Sequence, residues 1–463
     1  MRMVGIDLGT SFVKGAVLDL DALHLEHAHR APFPAPLAGL PAGHHEIDPE
    51  AVVATVRETL EALLVRAPDC AGVVLCTQMH SVLLVDAGGA PLTGAVTWLD
   101  QRALEAHPAG GTYFDALAAR MGAEARRRNG NELRPGLPIA TLFWLAEHGA
   151  LPAGATPLTM ADFALLRLCG APPGVDATNA AASGALDLTT GDWQHAALAA
   201  LGLHGLAWPR IGPLGEPAAG YPFRGRRIPC YRPVGDAQCA LAGVGLVAGE
   251  LSVNVATGSQ VSLLRPEPLP GDFQTRPFFD GQYLTSVVGL PAGRSLNALV
   301  ALLGELAAAH GAPVADPWPY LLRAAEEAPD GPLRVNLAFF AGAEGAPGAI
   351  EGITEQSLTA GQLFRAAFRR MAETYHAAAV RLAPEGGLHG LVFSGGLAHR
   401  APLLRDFIAD RLGLPSRLGP EEDTLHGLLA LALVCAGRAP SVVAAAQQVR
   451  GSLEDRTPSI VKD

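Results

Sequence analysis

Apolar positions follow two different spacings along the chain. Short runs of Val, Ile and Leu bounded by Gly, Ser, Thr or Asp predict buried strands. They lie at residues 3–6, 13–18, 73–75, 82–85, 251–256, 261–264 and 391–393. Longer segments with apolar residues every three or four positions predict helices. These cover residues 48–64, 142–147, 163–168, 295–309, 360–382, 402–412 and 425–436. Strands that alternate with helices are typical of α/β architecture.

The first predicted helix has a clear start signal. Asp48 is a residue type that caps helix N-termini with its side chain, and Pro49 follows at the first helical position. Val52, Val56 and Leu60 then recur on one face.

The opening strand–turn–strand pattern occurs again in the second half of the chain. Residues 7–11 form the first turn and residues 257–259 the second, each flanked by apolar runs. The repetition predicts two related domains. A stretch rich in Pro, Gly and Arg at 209–233 is the best candidate for the boundary, which predicts domains 1–233 and 234–463.

Composition narrows the class of protein. The chain has 463 residues, 49% hydrophobic residues and a net charge of −11. It can therefore form sizeable cores, and its acidity argues against nucleic-acid or anionic-membrane partners. No apolar run reaches the roughly 18 residues of a membrane span. Six cysteines without a CxxC motif indicate buried thiols in a reducing compartment. Asp7 and Lys14 interrupt the first apolar stretch, unlike a signal peptide, so we expect a cytoplasmic protein.

The first turn contains the residue types that bind phosphate groups. Glycine lets backbone N–H groups converge on an anion, and hydroxyl and ammonium groups add donors. The predicted phosphate-binding residues of this turn are Gly9, Thr10, Ser11 and Lys14. Asp7, at the end of the preceding strand, is a candidate ligand of Mg²⁺, directly or through water. An ordinary β-hairpin is the alternative explanation for this segment alone.

Two further glycine-containing turns lie in the second half. The first consists of Thr257, Gly258 and Ser259, and we expect a positive φ at Gly258. Two phosphate-type turns in two domains can bind one nucleoside triphosphate. The Ser394-Gly395-Gly396 segment follows a predicted strand and precedes a helix, so a base or ribose could approach its backbone closely. Strand-to-helix glycine pairs are common, so this segment alone is a weak indication.

Polar residues at predicted strand ends suggest an alcohol acceptor. Phosphoryl transfer to an alcohol needs a carboxylate that accepts the hydroxyl proton, and Asp236 is the candidate. A helix N-cap is the alternative role for Asp236. Gln78, His80, Asp100 and Arg102 are residue types that bind polyols. A core histidine and a surface salt bridge are the alternatives for these positions.

These segments together resemble the FGGY family of carbohydrate kinases, and the similarity runs nearly end to end. Asp7–Ser11 with Lys14 resembles the first phosphate motif, Asn254–Ser259 the second, and Ser394–Leu397 the adenosine motif. Two longer family patterns match residues 136–148 and 348–368. The chain departs from them at Thr141, where the family usually has Lys, and at Arg369, where it prefers an acidic or amide residue.

The resemblance implies an α/β fold of two actin-like (ribonuclease H-like) ATPase domains flanking a central cleft that holds ATP, Mg²⁺ and a sugar. It makes Asp236 the catalytic base and Asp7 a metal ligand. The implied sugar-binding residues are Gln78, Met79, His80, Asp100 and Arg102. The implied nucleotide-binding residues are Gly9, Thr10, Ser11, Lys14, Thr257, Gly258, Ser259, Gly395, Gly396, Leu397 and Arg400.

Within the family, several segments are most similar to sedoheptulokinases, including those around Asp236, Trp144 and Asn179. The resemblance therefore implies transfer of the γ-phosphate to a primary hydroxyl of a ketose, with sedoheptulose first. Xylulokinase, ribulokinase and gluconokinase are alternatives, since Thr97-Trp98 and 187–193 also resemble other family members. An actin-like ATPase without a sugar substrate is the alternative of another class. The expected partner is a small-molecule sugar, with no nucleic acid or membrane, and a homodimer is the assembly we consider.

Overall fold

The structure is a computed structural model that describes residues 1–340 and 347–456. Its strands are β1 (Arg2–Leu8), β2 (Phe12–Asp19), β3 (His24–Pro32), β4 (Glu46–Ile47), β5 (Val73–Thr77), β6 (Leu83–Val85), β7 (Ala95–Val96), β8 (Thr156–Leu158), β9 (Gly174–Asp176), β10 (Leu186–Asp187), β11 (Asp192–Trp193), β12 (Arg210–Gly212), β13 (Pro217–Phe223), β14 (Arg226–Tyr231), β15 (Val234–Gly235), β16 (Glu250–Val255), β17 (Ser259–Arg265), β18 (Gln274–Pro277), β19 (Tyr283–Leu290), β20 (Arg334–Asn336), β21 (Ala349–Glu351), β22 (Gly390–Ser394) and β23 (Ser416–Leu418).

The α-helices are α1 (Pro49–Arg66), α2 (Tyr113–Arg128), α3 (Pro138–Glu147), α4 (Met160–Cys169), α5 (Ala177–Ala182), α6 (His195–Ala200), α7 (Asp236–Gly243), α8 (Gly293–Ala309), α9 (Trp318–Glu327), α10 (Ala360–Leu382), α11 (Gly396–Arg400), α12 (Pro402–Leu412), α13 (Asp423–Cys435) and α14 (Val442–Arg456). A single 3₁₀ turn covers Arg102–Leu104 in this part of the chain. The predicted strands and helices are confirmed, with boundaries moved by a few residues. The predicted start of α1 is also confirmed, because the Asp48 side chain accepts the backbone N–H of Glu50.

The chain divides into two compact units. The first comprises residues 1–245, 265–284 and 422–456, and the second comprises the described residues of 246–264 and 285–421. Three segments beyond residue 233 therefore group with the first unit. Chain topology explains this grouping, because β15 pairs with β5 and α13 packs against α7 and β1.

The stretch at 209–233, interpreted from sequence as a boundary, forms β12, β13 and β14. β14 pairs with β5 in the main sheet of the first unit. Its Ile228 and Cys230 side chains are buried in the core of that unit. The Pro and Gly content of this stretch therefore accompanies sheet-edge strands and turns rather than a linker.

The main sheet of the first unit has the strand order β13-β14-β5-β1-β2-β3, with β15 also paired to β5. β1 is antiparallel to β2 and parallel to β5, and β15 is parallel to β5. The carboxyl ends of β1, β5 and β15 consequently lie at one edge of the sheet. Ligands of open α/β sheets bind at such an edge.

Helices cover both faces of this sheet. A Cβ on Gly15 would lie 2.6 Å from Leu63 Cδ1 of α1, whereas a Cβ on Gly5 would lie 3.3 Å from Leu428 Cβ of α13. Glycine at these two strand positions therefore lets each helix approach the sheet closely. α13 buries Leu425 and the whole of 427–433, which explains its nearly continuous apolar sequence.

The sheet of the second unit repeats the local arrangement of the first. β16 is antiparallel to β17 and parallel to β22, and β22 is parallel to β23. β1, β2 and β5 have the same relationship in the first unit. The repeated strand–turn–strand pattern in the sequence thus corresponds to a repeated structural unit.

None of the described helices is both long enough and apolar enough to cross a lipid bilayer. All six cysteines are free thiols. Five are buried, as predicted, and Cys435 is half-buried.

Candidate active site

Three strand ends in the first unit bring together residues predicted for the first phosphate-binding turn, for sugar binding and for catalysis. Gly9 follows β1, Gln78 follows β5, and Asp236 follows β15. Because β1 and β15 both pair in parallel with β5, these residues leave the sheet at the same edge. Sequence reasoning identified each residue, and the parallel pairing is what makes them neighbours.

A chain of hydrogen bonds joins the first turn to the segment after β5. Gln78 Nε2 donates to the Gly9 carbonyl at 3.2 Å, and Thr10 Oγ1 donates to Gln78 Oε1 at 3.4 Å. Trp98 Nε1 donates to Thr10 Oγ1 at 3.3 Å. Gln78 is buried, so it holds the turn in place, while Thr10 and Ser11 are exposed at its tip.

Asp7 is buried at the end of β1 and has two donors. Thr424 Oγ1 donates to its Oδ2 at 2.7 Å, and the Cys76 thiol contacts its Oδ1 at 3.4 Å. Burial raises the pKa of Asp7, against the lowering effects of these donors and of Lys14. Lys14 lies opposite Asp7 in the β1–β2 register and donates to Glu422 Oε2 at 2.8 Å.

Asp236 is the first residue of α7, and its Oδ1 accepts the backbone N–H of Ala237 at 2.8 Å. The N-cap position itself is occupied by Gly235. Burial raises the pKa of Asp236 to about 7, with a further contribution from the negative charge of Asp7. A carboxylate with a pKa near neutrality can accept a proton efficiently at physiological pH.

The backbone that leads into Asp236 is held from α5. Thr178 Oγ1 accepts the Gly235 N–H at 2.8 Å and itself donates to Asp176. Asn179 Nδ2 donates to the Pro233 carbonyl at 2.9 Å. The side chains of Asp176, Thr178 and Asn179, which form this clamp, are all buried. Their hydrogen bonds to Pro233 and Gly235 fix the backbone that leads into Asp236.

A third carboxylate, which sequence reasoning missed, joins Asp7 and Asp236. Burial raises the pKa of Asp423 to about 6, and the charge of Asp7 raises it further. The three carboxylates thus disfavour one another's ionisation. Carboxylate oxygens are the hard ligands that Mg²⁺ prefers, and a divalent cation would offset this excess negative charge. The three carboxylates are therefore of the ligand type that suits Mg²⁺, directly or through water.

Met79 and His80 lie beside β15, the strand that directly precedes Asp236. A Cβ on Gly235 would be 3.1 Å from Met79 Sδ, so Met79 packs directly against the residue before Asp236. His80 has a φ of 67°, an uncommon value for a residue with a side chain. Burial lowers the pKa of His80 to about 4, so the imidazole is neutral at pH 7.

Three charged residues that sequence reasoning did not select surround His80. Glu132 is fully buried, and its Oε1 lies 3.2 Å from His80 Nε2. Arg276 donates to both oxygens of Glu132, and Arg134 donates to Oε1. Burial alone would raise the pKa of Glu132, but Arg276 and the other donors hold it well below its usual range. No local spacing reveals this group, because Glu132 and Arg276 are separated by 144 positions.

Asp100 and Arg102 form a buried ion pair. Arg102 Nε donates to Asp100 Oδ1 at 2.9 Å and Nη2 donates to Oδ2 at 2.8 Å. Asp100 Oδ2 also accepts the His45 N–H, and Arg102 reaches Glu46 at 2.6 Å. Both side chains are therefore engaged with each other and with residues 45–46.

The predicted nucleotide loops of the second unit lie side by side. Asn254 Nδ2 donates to Ser394 Oγ at 3.0 Å, which links the end of β16 to the end of β22. Gly395 has a φ of 87°, and a Cβ there would lie 2.6 Å from the Val255 carbonyl oxygen. Only glycine fits this close approach. The two motifs form one glycine-lined edge.

Individual residues of these loops are placed differently. The Ser259 hydroxyl is buried and accepts from Tyr375 Oη at 2.8 Å, whereas Thr257 and Gly258 are more open. The positive φ expected at Gly258 is wrong, and the space around its Cβ position is open. Leu397 is buried, and Arg400 forms an exposed ion pair with Asp316 at 3.0 Å.

Comparison with known proteins agrees with this arrangement. A model of the FGGY family of carbohydrate kinases, N-terminal domain, matches residues 2–219. The matched residues make up slightly less than half of this chain. The matched region carries the first turn, Gln78–His80, and the clamp residues of α5.

Two curated relatives differ in how much of the chain they match. A glycerol kinase from Rhizorhabdus wittichii is 31% identical over 293 residues, which cover 55% of this chain and 52% of the relative. The chain therefore spans about half the length of that relative. A sedoheptulokinase from Mus musculus is 24% identical over 470 residues, which cover 92% of this chain and 95% of the relative.

The fold of this chain is also found in solved structures. A glycerol kinase from Plasmodium falciparum, determined with ADP, superposes with a TM-score of 0.81 at 17% identity, over 97% of this chain and 92% of that chain. The predicted fold class, an α/β protein with two actin-like ATPase domains, is confirmed.

Proposed function

We propose that this protein is an ATP-dependent carbohydrate kinase that phosphorylates a primary hydroxyl of a ketose, with sedoheptulose as the preferred acceptor. The observation that carries this proposal is the position of Asp236. Its carboxylate has a pKa of about 7 and lies next to Gln78, Met79 and His80 at the edge formed by three strand ends.

In this proposal Asp236 is the general base. Its carboxylate accepts the proton of the acceptor hydroxyl, the hydroxyl oxygen forms a bond to the γ-phosphorus, and the bond to the β,γ-bridging oxygen of ATP breaks to release ADP. The loose phosphoryl-transfer transition state requires positioning and charge stabilisation above all. Thr10, Ser11 and the backbone of the first turn would orient the phosphoryl group.

Mg²⁺, held by Asp7 with Asp423 nearby, would neutralise part of the phosphate charge. Asp7 itself is oriented by the hydroxyl of Thr424. The clamp formed by Thr178 and Asn179 keeps Asp236 at the start of α7. These residues together would fix the base relative to the first turn.

The glycine-lined edge of the second unit is the proposed nucleotide contact. Gly395 allows a flat group to approach the backbone, and Thr257 and Gly258 provide open donors for phosphate oxygens. Gly396, Leu397 and Arg400 extend this surface. The Plasmodium falciparum glycerol kinase of the same fold was solved with ADP, which supports a nucleotide as the second substrate here.

The choice of a ketose rests on two arguments. The mouse sedoheptulokinase matches nearly the whole of both chains, whereas the glycerol kinase matches about half of each. A neutral ketose also needs uncharged hydrogen-bonding groups, and the imidazole of His80 is neutral at pH 7. Xylulose and ribulose are the next candidates. Gluconate stands behind them.

A coupled ADP-release assay over sedoheptulose, xylulose, ribulose, gluconate and glycerol tests the proposal. We expect sedoheptulose to give the highest kcat/KM. A tenfold lead for gluconate or glycerol would overturn the ketose assignment and leave the kinase assignment in place. ATP turnover that is equal with and without every acceptor would instead favour an actin-like ATPase without a sugar substrate.

A further inference from the structure

The buried carboxylate of Glu132 is already fully paired by one arginine. Arg276 Nε donates to Glu132 Oε2 at 2.6 Å, and Arg276 Nη2 donates to Oε1 at 3.0 Å. Arg276 also donates to Gln274 Oε1 at 2.8 Å and is itself buried. Such a two-pronged pair satisfies both members of the ion pair. Glu132 and Arg276 therefore form a closed structural unit.

Arg134 is a second guanidinium group at this carboxylate. Unlike Arg276, which donates to both oxygens of Glu132, it donates to Oε1. Among the described residues, its hydrogen-bond contacts all run through Nη2, at 3.2 Å to Glu132 Oε1 and 3.2 Å to His80 Nε2. Its Nε is shielded from solvent and lacks a hydrogen-bond partner in the described part of the chain. The side chain as a whole is 41% exposed, whereas that of Glu132 is 0% exposed. Arg134 thus retains donors that protein groups do not use.

The charges of this group do not cancel. Two guanidinium groups face one carboxylate, and His80 is neutral at pH 7 because burial lowers its pKa to about 4. One positive charge is left over. Arg276 pairs with both oxygens of Glu132. The excess positive charge therefore lies on the more exposed Arg134.

The group adjoins the catalytic end of the first unit. Arg134 contacts His80, and the preceding Met79 packs against Gly235. The positive charge of Arg276 also lowers the pKa of Asp236, against the stronger raising effect of burial. Arg134 is therefore an accessible cation beside the proposed acceptor-binding residues.

We propose that Arg134 is a specificity-determining residue that donates charge-assisted hydrogen bonds to oxygen atoms of the polyhydroxylated acceptor other than the attacking hydroxyl. This inference rests on the proposed function, because it assumes that the acceptor binds next to Met79 and His80. Glu132 and His80 hold the Nη2 end of Arg134, which leaves the other N–H groups for the ligand.

The test compares R134L, R134Q and R134K with the native protein. Hydrogen bonds from a charged donor contribute about 1.5–3 kcal/mol, so R134L should raise the KM for the best acceptor about 10- to 100-fold. The KM for ATP should change less than twofold. R134K should recover part of the acceptor affinity, because it keeps the charge but lacks the planar fork. R134Q keeps much of the volume and serves if R134L does not fold.

R127L is the matched control, because Arg127 is a highly exposed arginine of α2 that pairs only with Glu124 among the described residues. Its acceptor KM should equal that of the native protein. An acceptor KM within twofold of native in R134L and R134Q would overturn the inference, as would an equal rise in R127L.

The assay also shows whether Arg134 binds a carboxylate or hydroxyl groups of the acceptor. It further distinguishes failure of this inference from failure of the proposed substrate. A loss that is at least tenfold greater for gluconate than for sedoheptulose would show that Arg134 binds a carboxylate, and equal losses would show that it binds hydroxyls; both support the inference. If the native protein prefers an acceptor outside the ketoses, the proposed substrate fails. The same variants then test Arg134 on that acceptor, and the KM criterion is unchanged.

Discussion

Thr424 Oγ1 donates a hydrogen bond of 2.7 Å to Asp7 Oδ2, across a sequence separation of 417 positions. The bond joins the start of α13 to the end of β1 within the first unit. Asp7 is buried, and this donor opposes the rise in its pKa that burial causes. The charge state of the proposed metal ligand therefore depends on a residue from the distant end of the chain.

Replacement of Thr424 by Val should raise the Mg²⁺ concentration needed for half-maximal activity. The substitution removes the donor from Asp7, and a hydrogen bond to a charged group contributes about 1.5–3 kcal/mol, which corresponds to about a 10- to 100-fold change. Mg²⁺ titration of the initial rate measures this effect. The control is Thr374→Val on α10, because the described residues show the Thr374 hydroxyl donating to the Arg370 carbonyl of its own helix. Identical Mg²⁺ dependence in both variants would show that the hydrogen bond from Thr424 to Asp7 does not affect Mg²⁺ binding.

Asp236→Asn should keep nucleotide and acceptor binding but lose most turnover. The amide preserves the shape of the side chain and cannot accept the hydroxyl proton, and a general base contributes about 10²–10⁴ in rate. Steady-state kcat together with equilibrium binding of the acceptor separates the two effects. Asp406→Asn, on the exposed side of α12, should behave like the native protein. A kcat within tenfold of native for Asp236→Asn would show that another group accepts the proton.

Asp236→Asn should also stabilise the metal-free protein at high pH. The folded-state pKa of Asp236 is about 7, above the unfolded value of about 3.9. The native state consequently binds more protons between these pH values, and the contribution of Asp236 to stability falls as pH rises through this window. Above pH 7 the ionised carboxylate lowers the stability of the folded state, because the Ala237 N–H and the charge of Arg276 offset the effect of burial only in part.

Thermal unfolding with a chelator at pH 8 and pH 4.5 measures this effect. Asp236→Asn should raise Tm at pH 8, where each kcal/mol corresponds to about 2–4 °C for a domain of this size, and should have little effect at pH 4.5. An equal rise at both pH values would mean that the effect does not come from ionisation. Asp423, with a pKa of about 6, should show the same pattern more weakly as Asp423→Asn.

Gly395→Ala should destabilise the second unit and weaken nucleotide binding. Alanine at a φ of 87° is strained, and its Cβ would lie 2.6 Å from the Val255 carbonyl. Backbone strain of this kind costs about 1–3 kcal/mol. Thermal unfolding and ATP titration measure the two consequences. Gly396→Ala is the stability control, because nothing lies within 4 Å of its Cβ position. Equal unfolding temperatures for the two variants would contradict the steric argument.

The local features of this protein could be predicted from the sequence. Asp48 and Pro49 mark the start of α1, and the apolar spacing gives α10 and α12 with the bounds that the structure has. The repeated strand–turn–strand pattern indicates two related units. These features depend on neighbours within a few positions of the chain, so local spacing is sufficient to reveal them.

Residue type and family resemblance also identified Asp7, Gln78, His80 and Asp236 as candidates, and all four lie at one end of the first unit. The roles assigned to Asp100 and Arg102 remain predictions. Their mutual ion pair, which uses both oxygens of Asp100, became visible only in the structure. Two neighbouring charged residues in a motif have the same sequence whether they face a ligand or each other.

Tertiary structure alone decided the environment of these candidates. Glu132 and Arg276 are far apart in the chain, and so are Asp7 and Thr424. Burial and the charge of Asp7 raise the pKa of Asp236, and parallel strand pairing brings the segments that carry these two residues to the same edge of the sheet. The charge of the His80 group depends instead on the pairing of Glu132 with Arg276 and Arg134. The sequence by itself therefore determined which residues we propose for phosphoryl transfer, because that choice rests on residue type and local pattern. Packing of distant segments determined their ionisation and left Arg134 with N–H groups that the described residues do not use.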